Sequence, residues 1–195
     1  MKKGKTMNAS NVLELFFDWF REKEFEYNYR EDDFFPRIDY KIGLGTGNIS
    51  YSHCSIFFIE KNDEVIVDKI IQIEIAPYED QISETMKYVN LVNGEHAINT
   101  HLTIDSAFGE LVVVSRTVMP SVEHITKQLI EDVLIYPPYW LQDVAGDGLL
   151  AVVQGLCSAK EGLEKSISMM DTPRIPPNSD EESKRAYYPC DGYGI

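Results

Sequence analysis

The sequence predicts an α+β domain, an antiparallel sheet flanked by helices in the order helix, β meander, helix, two strands, helix. Three observations predict it. Val12, Leu15, Phe16, Trp19 and Phe20 recur at helical spacing near the start. Stretches rich in β-branched and aromatic residues follow over residues 38–76, separated by short turn segments. A second helical stripe, a pair of strand-like runs around Ser106-Ala-Phe-Gly109 and a third stripe complete the series.

The first helix spans residues 12–20, with Glu14, Asp18 and Arg21 on its polar side. Asn11 with Glu14 fits a capping box, and Ser10 is a competing cap one residue earlier. Residues 25–29 alternate aromatic and polar side chains and predict a short strand, which residues 32–36 interrupt. Residues 38–44, 49–60 and 65–76 predict a meander turning at 45–48 and 61–64. In residues 81–93, Ile82, Met86 and Val89 share one helical stripe, with Asp80 or Ser83 as cap and Gly94 as the stop. Residues 97–105 and 110–119 predict a hairpin whose Gly109 supplies a left-handed position.

Pro120 ends that strand. Ser121 is placed to cap a helix carrying Val122, Ile125, Leu129, Val133 and Tyr136. Pro137-Pro138 should break or kink it, because proline lacks an N–H and clashes with the preceding turn. Residues 140–157 resume an apolar helical pattern, interrupted at Gly146-Asp-Gly148. The pattern weakens after Ser158, and Pro173, Pro176, Pro177 and Pro189 then occur among few aliphatic residues. The expected organisation is an N-terminal extension at 1–10, one α+β domain at 11–157 and an acidic, proline-containing, loosely held tail at 158–195.

Charge narrows the function. With 18 basic and 32 acidic residues the net charge is −14, which disfavours nucleic acid and anionic membranes and either solvates the surface or steers a basic partner toward it. Cys54, Cys157 and Cys190 have no CxxC spacing, so neither a disulfide framework nor a zinc site is suggested and a reducing, cytoplasmic compartment is expected. No apolar run approaches the roughly twenty residues of a membrane helix, and the first residues lack the apolar core of a signal peptide.

No motif carries chemistry. Gly43-Leu-Gly-Thr-Gly47 resembles a phosphate loop, but a strand rather than a helix is predicted after it, so it reads as a hairpin turn. His96 and His101 lack the spacing of a metal site, and His53 beside Cys54 on a strand points to the opposite face. Asp143 and Asp147 lack the ligand order of a calcium loop. No cofactor or metal is expected. Tyr136, Tyr139 and Trp140 gather aromatic surface at the proline interruption and fit either a core or a docking surface, and Tyr187 and Tyr188 form a second cluster in the tail. These five are the candidate partner-binding residues.

The element order, carried by Val12-Leu-Glu-Leu-Phe-Phe17, residues 65–76, the hairpin at 102–119 and the helix at 122–136, resembles the YbjN-like sensory transduction regulator family and relatives with the type III secretion chaperone-like fold. The resemblance covers residues 11–156. It implies a non-catalytic, often acidic, homodimeric binding protein that holds an extended segment of another protein against its sheet and helices. No motif matches, so no functional residue carries over, and residues 32–48, the helical stretch after Pro138 and the tail depart from the pattern. The resulting expectation is a cytoplasmic protein-binding or regulatory module that is not an enzyme. The alternative is an enzyme or small-molecule-binding domain in which His53, Cys54, His96 or His101 converge in a pocket.

Overall fold

The computed structural model describes residues 8–31, 35–43, 51–97, 99–105, 107, 109–142 and 146–170. Helix α1 (Ala9–Glu22) starts earlier than expected, inside the predicted extension. Asn8, in extended conformation, accepts the Asn11 N–H on its side chain at 2.8 Å, so Asn11 is a capped donor instead of the cap. Strands β1 (Tyr27–Glu31), β2 (Pro36–Gly43), β3 (Tyr51–Lys61) and β4 (Glu64–Gln72) form the meander. Asn62 and Asp63 both take positive φ, the geometry of a tight primed turn that matches the twist of β3 and β4. β4 ends before the expected residue 76, because Glu74 takes a left-handed backbone that breaks the ladder.

Helix α2 (Ile82–His96) leads to β5 (Thr100–Ile104) and β6 (Leu111–Met119). All six strands are antiparallel to their neighbours, in the spatial order β1-β2-β3-β4-β6-β5. The predicted α+β class with an antiparallel sheet is therefore the observed one. Alternation along β4 is strict: Val65, Val67, Lys69 and Ile71 are buried, while Ile66, Asp68, Ile70 and Gln72 face the other way. The buried face meets the helices. Phe16 of α1 packs edge-on against Phe58 of β3, and α2 contacts β5.

Helix α3 (Lys127–Trp140) corrects two expectations. Its cap is Thr126, accepting the Leu129 N–H at 3.1 Å, because residues 122–124 form a separate short 3₁₀ turn after Ser121. Pro137 and Pro138 lie inside the helix and do not end it. They remove the N–H donors that the Val133 and Leu134 carbonyls would otherwise receive four residues on. The sheet supplies replacements. The Lys69 ammonium, 1% exposed, donates to the Leu134 carbonyl and lies 3.5 Å from that of Val133, and the Tyr40 hydroxyl donates to the Leu134 carbonyl at 2.9 Å. A buried lysine thus stands in for two missing backbone donors, and the helix survives its prolines.

Helices α4 (Gly146–Val153) and α5 (Ala159–Met170) pack on each other and on α2. Within the stretch expected as a tail, Ala159, Leu163 and Ser166 are buried, and Ser166 shares a hydrogen bond with Tyr88 of α2 at 3.0 Å. The rest of the tail, residues 171–195, lies outside the described residues.

Candidate functional site

The helices occupy one face of the sheet and, among the described residues, none covers the other. An antiparallel sheet facing water on one side normally alternates apolar and polar residues. Here the open face carries Phe57, Ile59, Ile66, Ile70 and Val114 half-buried and Val118 exposed. Two arginine forks hold its charges. Arg116 donates to both oxygens of Asp68 at 2.7 and 2.5 Å, across the β4–β6 pair. Arg37, over the Phe57 ring, donates to both oxygens of Asp39 at 2.8 Å each.

Asp39 lines a concavity of about 900 Å³ together with Glu26, Asn28, Arg30, Lys41, His53, Ser55 and Gln72, and Phe25, Tyr27, Tyr40 and Cys54 also border it. Ser55 donates to Asp39 at 2.7 Å, and Arg30 Nε lies 3.4 Å from its second oxygen. Partial burial alone would raise the Asp39 pKa, but the hydrogen bonds from Arg37 and Ser55 and the charges of both arginines outweigh it and hold the carboxyl below its ordinary value. Arg30 and Arg37 sit directly opposite each other in the β1–β2 register, a like-charge pair with Asp39 between them.

The two edges of the sheet differ. At β5 the Asn93 side chain of α2 accepts the Leu102 N–H at 2.9 Å and donates to the Leu102 carbonyl at 2.7 Å, imitating a neighbouring strand and closing that edge. Among the described residues β1 pairs with β2 alone. Its Asn28 and Arg30 line the concavity, while Tyr27 and Tyr29 point to the helix side, where Phe17 of α1 meets their rings at 5.5 and 5.3 Å. The β1 edge therefore lies between an aromatic ledge and a polar basin.

The predicted binding aromatics are not brought together. Tyr136 is 40% exposed, but Tyr139 and Trp140 are 7% and 4% exposed, so they are core residues: extending α3 through its prolines turns them inward. Tyr187 and Tyr188 lie outside the described residues, as do Asp143 and the expected turn at 45–48. Nor do His53, Cys54 and His101 converge. His53 and Cys54 both border the concavity, but their side chains leave opposite faces of β3: His53 lies 3.2 Å from Glu74, whereas the Cys54 thiol is buried beside Tyr40 and Lys69. His101, exposed, belongs to the row Ser55–Ile70–Val114–His101, four strands across from the Asp39 corner. The backbone of His96 closes α2. Burial pushes the Tyr40 hydroxyl well above its ordinary pKa and the Cys54 thiol upward, although Lys69 and Tyr40 act to lower the latter. No group of three or more His, Cys, Asp or Glu residues able to hold a metal ion occurs among the described residues.

No helix among the described residues is long and apolar enough to cross a membrane. Compared with known proteins, the sequence matches no family model and no curated protein.

Sequence reasoning missed the Asp39 corner and Asn93. The alternation Arg37-Ile-Asp-Tyr-Lys41 was a signal for the first, since it sets three charges on one strand face. Asn93 had no signal, because its role depends on where α2 lies against β5.

Proposed function

We infer that this chain is a non-catalytic protein-binding module, chaperone-like in architecture, that accepts an extended segment of a partner as an additional strand beside β1. The observation that carries the reading is the asymmetry of the edges: Asn93 occupies the outward N–H and carbonyl of Leu102 at β5, and β1 has no equivalent guard among the described residues. An unguarded edge gives affinity through main-chain hydrogen bonds, and the flanking side chains give selectivity. The apolar residues of the adjoining open face would extend the contact. The element order and its resemblance to regulators and chaperones support the same class, including homodimerisation, and the free thiols of Cys54 and Cys157 support a cytoplasmic setting.

The test is selection of random displayed peptides on the full chain, followed by amide exchange of the complex. Slowed exchange across Tyr27–Glu31 is the expected result. Failure to obtain binders, or protection confined to other elements, removes the reading.

One observation favours a second reading, a small-molecule-binding domain: the concavity around Asp39 has the size of a ligand pocket. Binding there would change exchange at β2 and β3 without adding hydrogen bonds along β1.

A further inference from the structure

We propose that the segment taken up at β1 alternates acidic and apolar residues, with a carboxylate meeting Arg30 and an aromatic or β-branched side chain meeting Tyr29. This rests on the strand-addition reading and specifies its partner. In a strand laid antiparallel beside β1, successive side chains point to opposite faces, and those directly opposite lie about 4.5–5.5 Å from their neighbours in β1. The residue opposite Arg30 faces the concavity, and the residue opposite Tyr29 faces α1.

On the concave side the present structure leaves a charge conflict. Arg30 and Arg37 are cross-strand neighbours of like sign, normally destabilising, and both draw on the single carboxylate of Asp39. Arg37 holds both of its oxygens at 2.8 Å, whereas Arg30 reaches only one, at 3.4 Å, and remains exposed. A carboxylate arriving from the edge gives Arg30 its own partner and leaves Arg37 with Asp39. A lysine there would place a third cation in the row. The net charge of −14 does not govern this corner, where Arg30, Arg37 and Lys41 face Glu26, Asp39 and, beside His53, Glu74. On the helix side the same strand meets Phe17 and the exposed ring of Tyr29, T-shaped to each other at 5.3 Å, a surface suited to aromatic and β-branched neighbours.

The experiment uses the full chain and three short fluorescent peptides, alternating Glu-Val, alternating Lys-Val and alternating Glu-Ser, read by anisotropy and by amide exchange at Tyr27–Glu31. Glu-Val is expected to bind about tenfold more tightly than either of the others and to slow exchange in β1. Arg30→Glu should reverse the order of Glu-Val and Lys-Val, and Tyr29→Ser should abolish the advantage of Glu-Val over Glu-Ser. Both side chains are exposed, so circular dichroism should show an unchanged fold. Equal binding of Glu-Val and Lys-Val with β1 protected overturns the acidic assignment and leaves strand addition standing, as does an Arg30→Glu variant with unaltered preference. If no peptide slows exchange in β1, both fall.

Discussion

Lys69 donates to the carbonyl oxygen of Leu134, the acceptor that Pro138 deprives of its helical donor. Lys69→Met is expected to cost about 1–3 kcal/mol in chemical denaturation, because it leaves the Val133 carbonyl without its stand-in donor and the Leu134 carbonyl with Tyr40 alone. In a chain carrying Pro137→Ala and Pro138→Ala, where the backbone N–H groups return, the same substitution should cost little or nothing. A coupling of at least about 1 kcal/mol between the lysine and the proline pair is the expected outcome of the double-mutant cycle. Strict additivity would show that the lysine and the prolines are unrelated.

Burial lowers the Lys69 pKa from 10.5 to about 8 despite the neighbouring Cys54. Between those values the unfolded chain holds a proton that the folded chain has lost, so the contribution of this residue to stability rises with pH across the window. Tyr40 and Cys54, whose pKa values burial raises, act in the opposite sense once pH passes their unfolded values. Because Lys69 and Cys54 act on each other, Lys69→Met is compared with its parent in a Cys54→Ala background, which removes the thiol from the window. The stability of the parent relative to the variant should climb from about pH 8, by at most about 1.4 kcal/mol per unit. A flat difference between pH 8 and 10 contradicts this.

Asn93→Ala removes both partners of the Leu102 backbone. We expect a loss of about 1–2 kcal/mol in thermal or urea unfolding, faster amide exchange at Leu102, and concentration-dependent association through the reopened edge of β5. Light scattering that shows no association at any concentration would remove the guarding role while leaving the stabilising one.

A methyl group at Gly148 would lie 2.1 Å from the Gly162 carbonyl oxygen and 2.2 Å from the Ser166 hydroxyl. Backbone cannot yield at that distance, so Gly148→Ala should separate α4 from α5 at a cost of about 3 kcal/mol or more. Limited proteolysis near the exposed connection 154–158 should then be faster than in the wild type. Gly94→Ala, which meets nothing within 4 Å, is the matched control and should leave cleavage unchanged.

Much of the sheet was legible in the sequence because one face is buried and the side-chain period of two is strict along β4. Helix ends were less so. The cap moved to Asn8 because an asparagine four residues before Val12 competes equally well, and only backbone conformation decides between them. α5 was hidden by its low apolar content, although Ser158 and Glu161 form a reciprocal capping box, the Glu161 side chain accepting the Ser158 N–H at 2.8 Å. The continuity of α3 was illegible locally, since it depends on a lysine 65 residues away that sequence reading placed among ordinary strand residues. The candidate site had the same character: Arg30, Arg37 and Asp39 are unremarkable apart, and only the β1–β2 register sets the arginines opposite each other.

The order β4-β6-β5 has a consequence for synthesis. A chain emerging from the ribosome completes the β1–β4 meander with the outer side of β4 uncovered, and α2 and β5 are both made before β6 arrives to cover it. Throughout that interval the nascent protein has a second sticky border, made of Val65, Val67 and Ile71, that the finished molecule no longer shows.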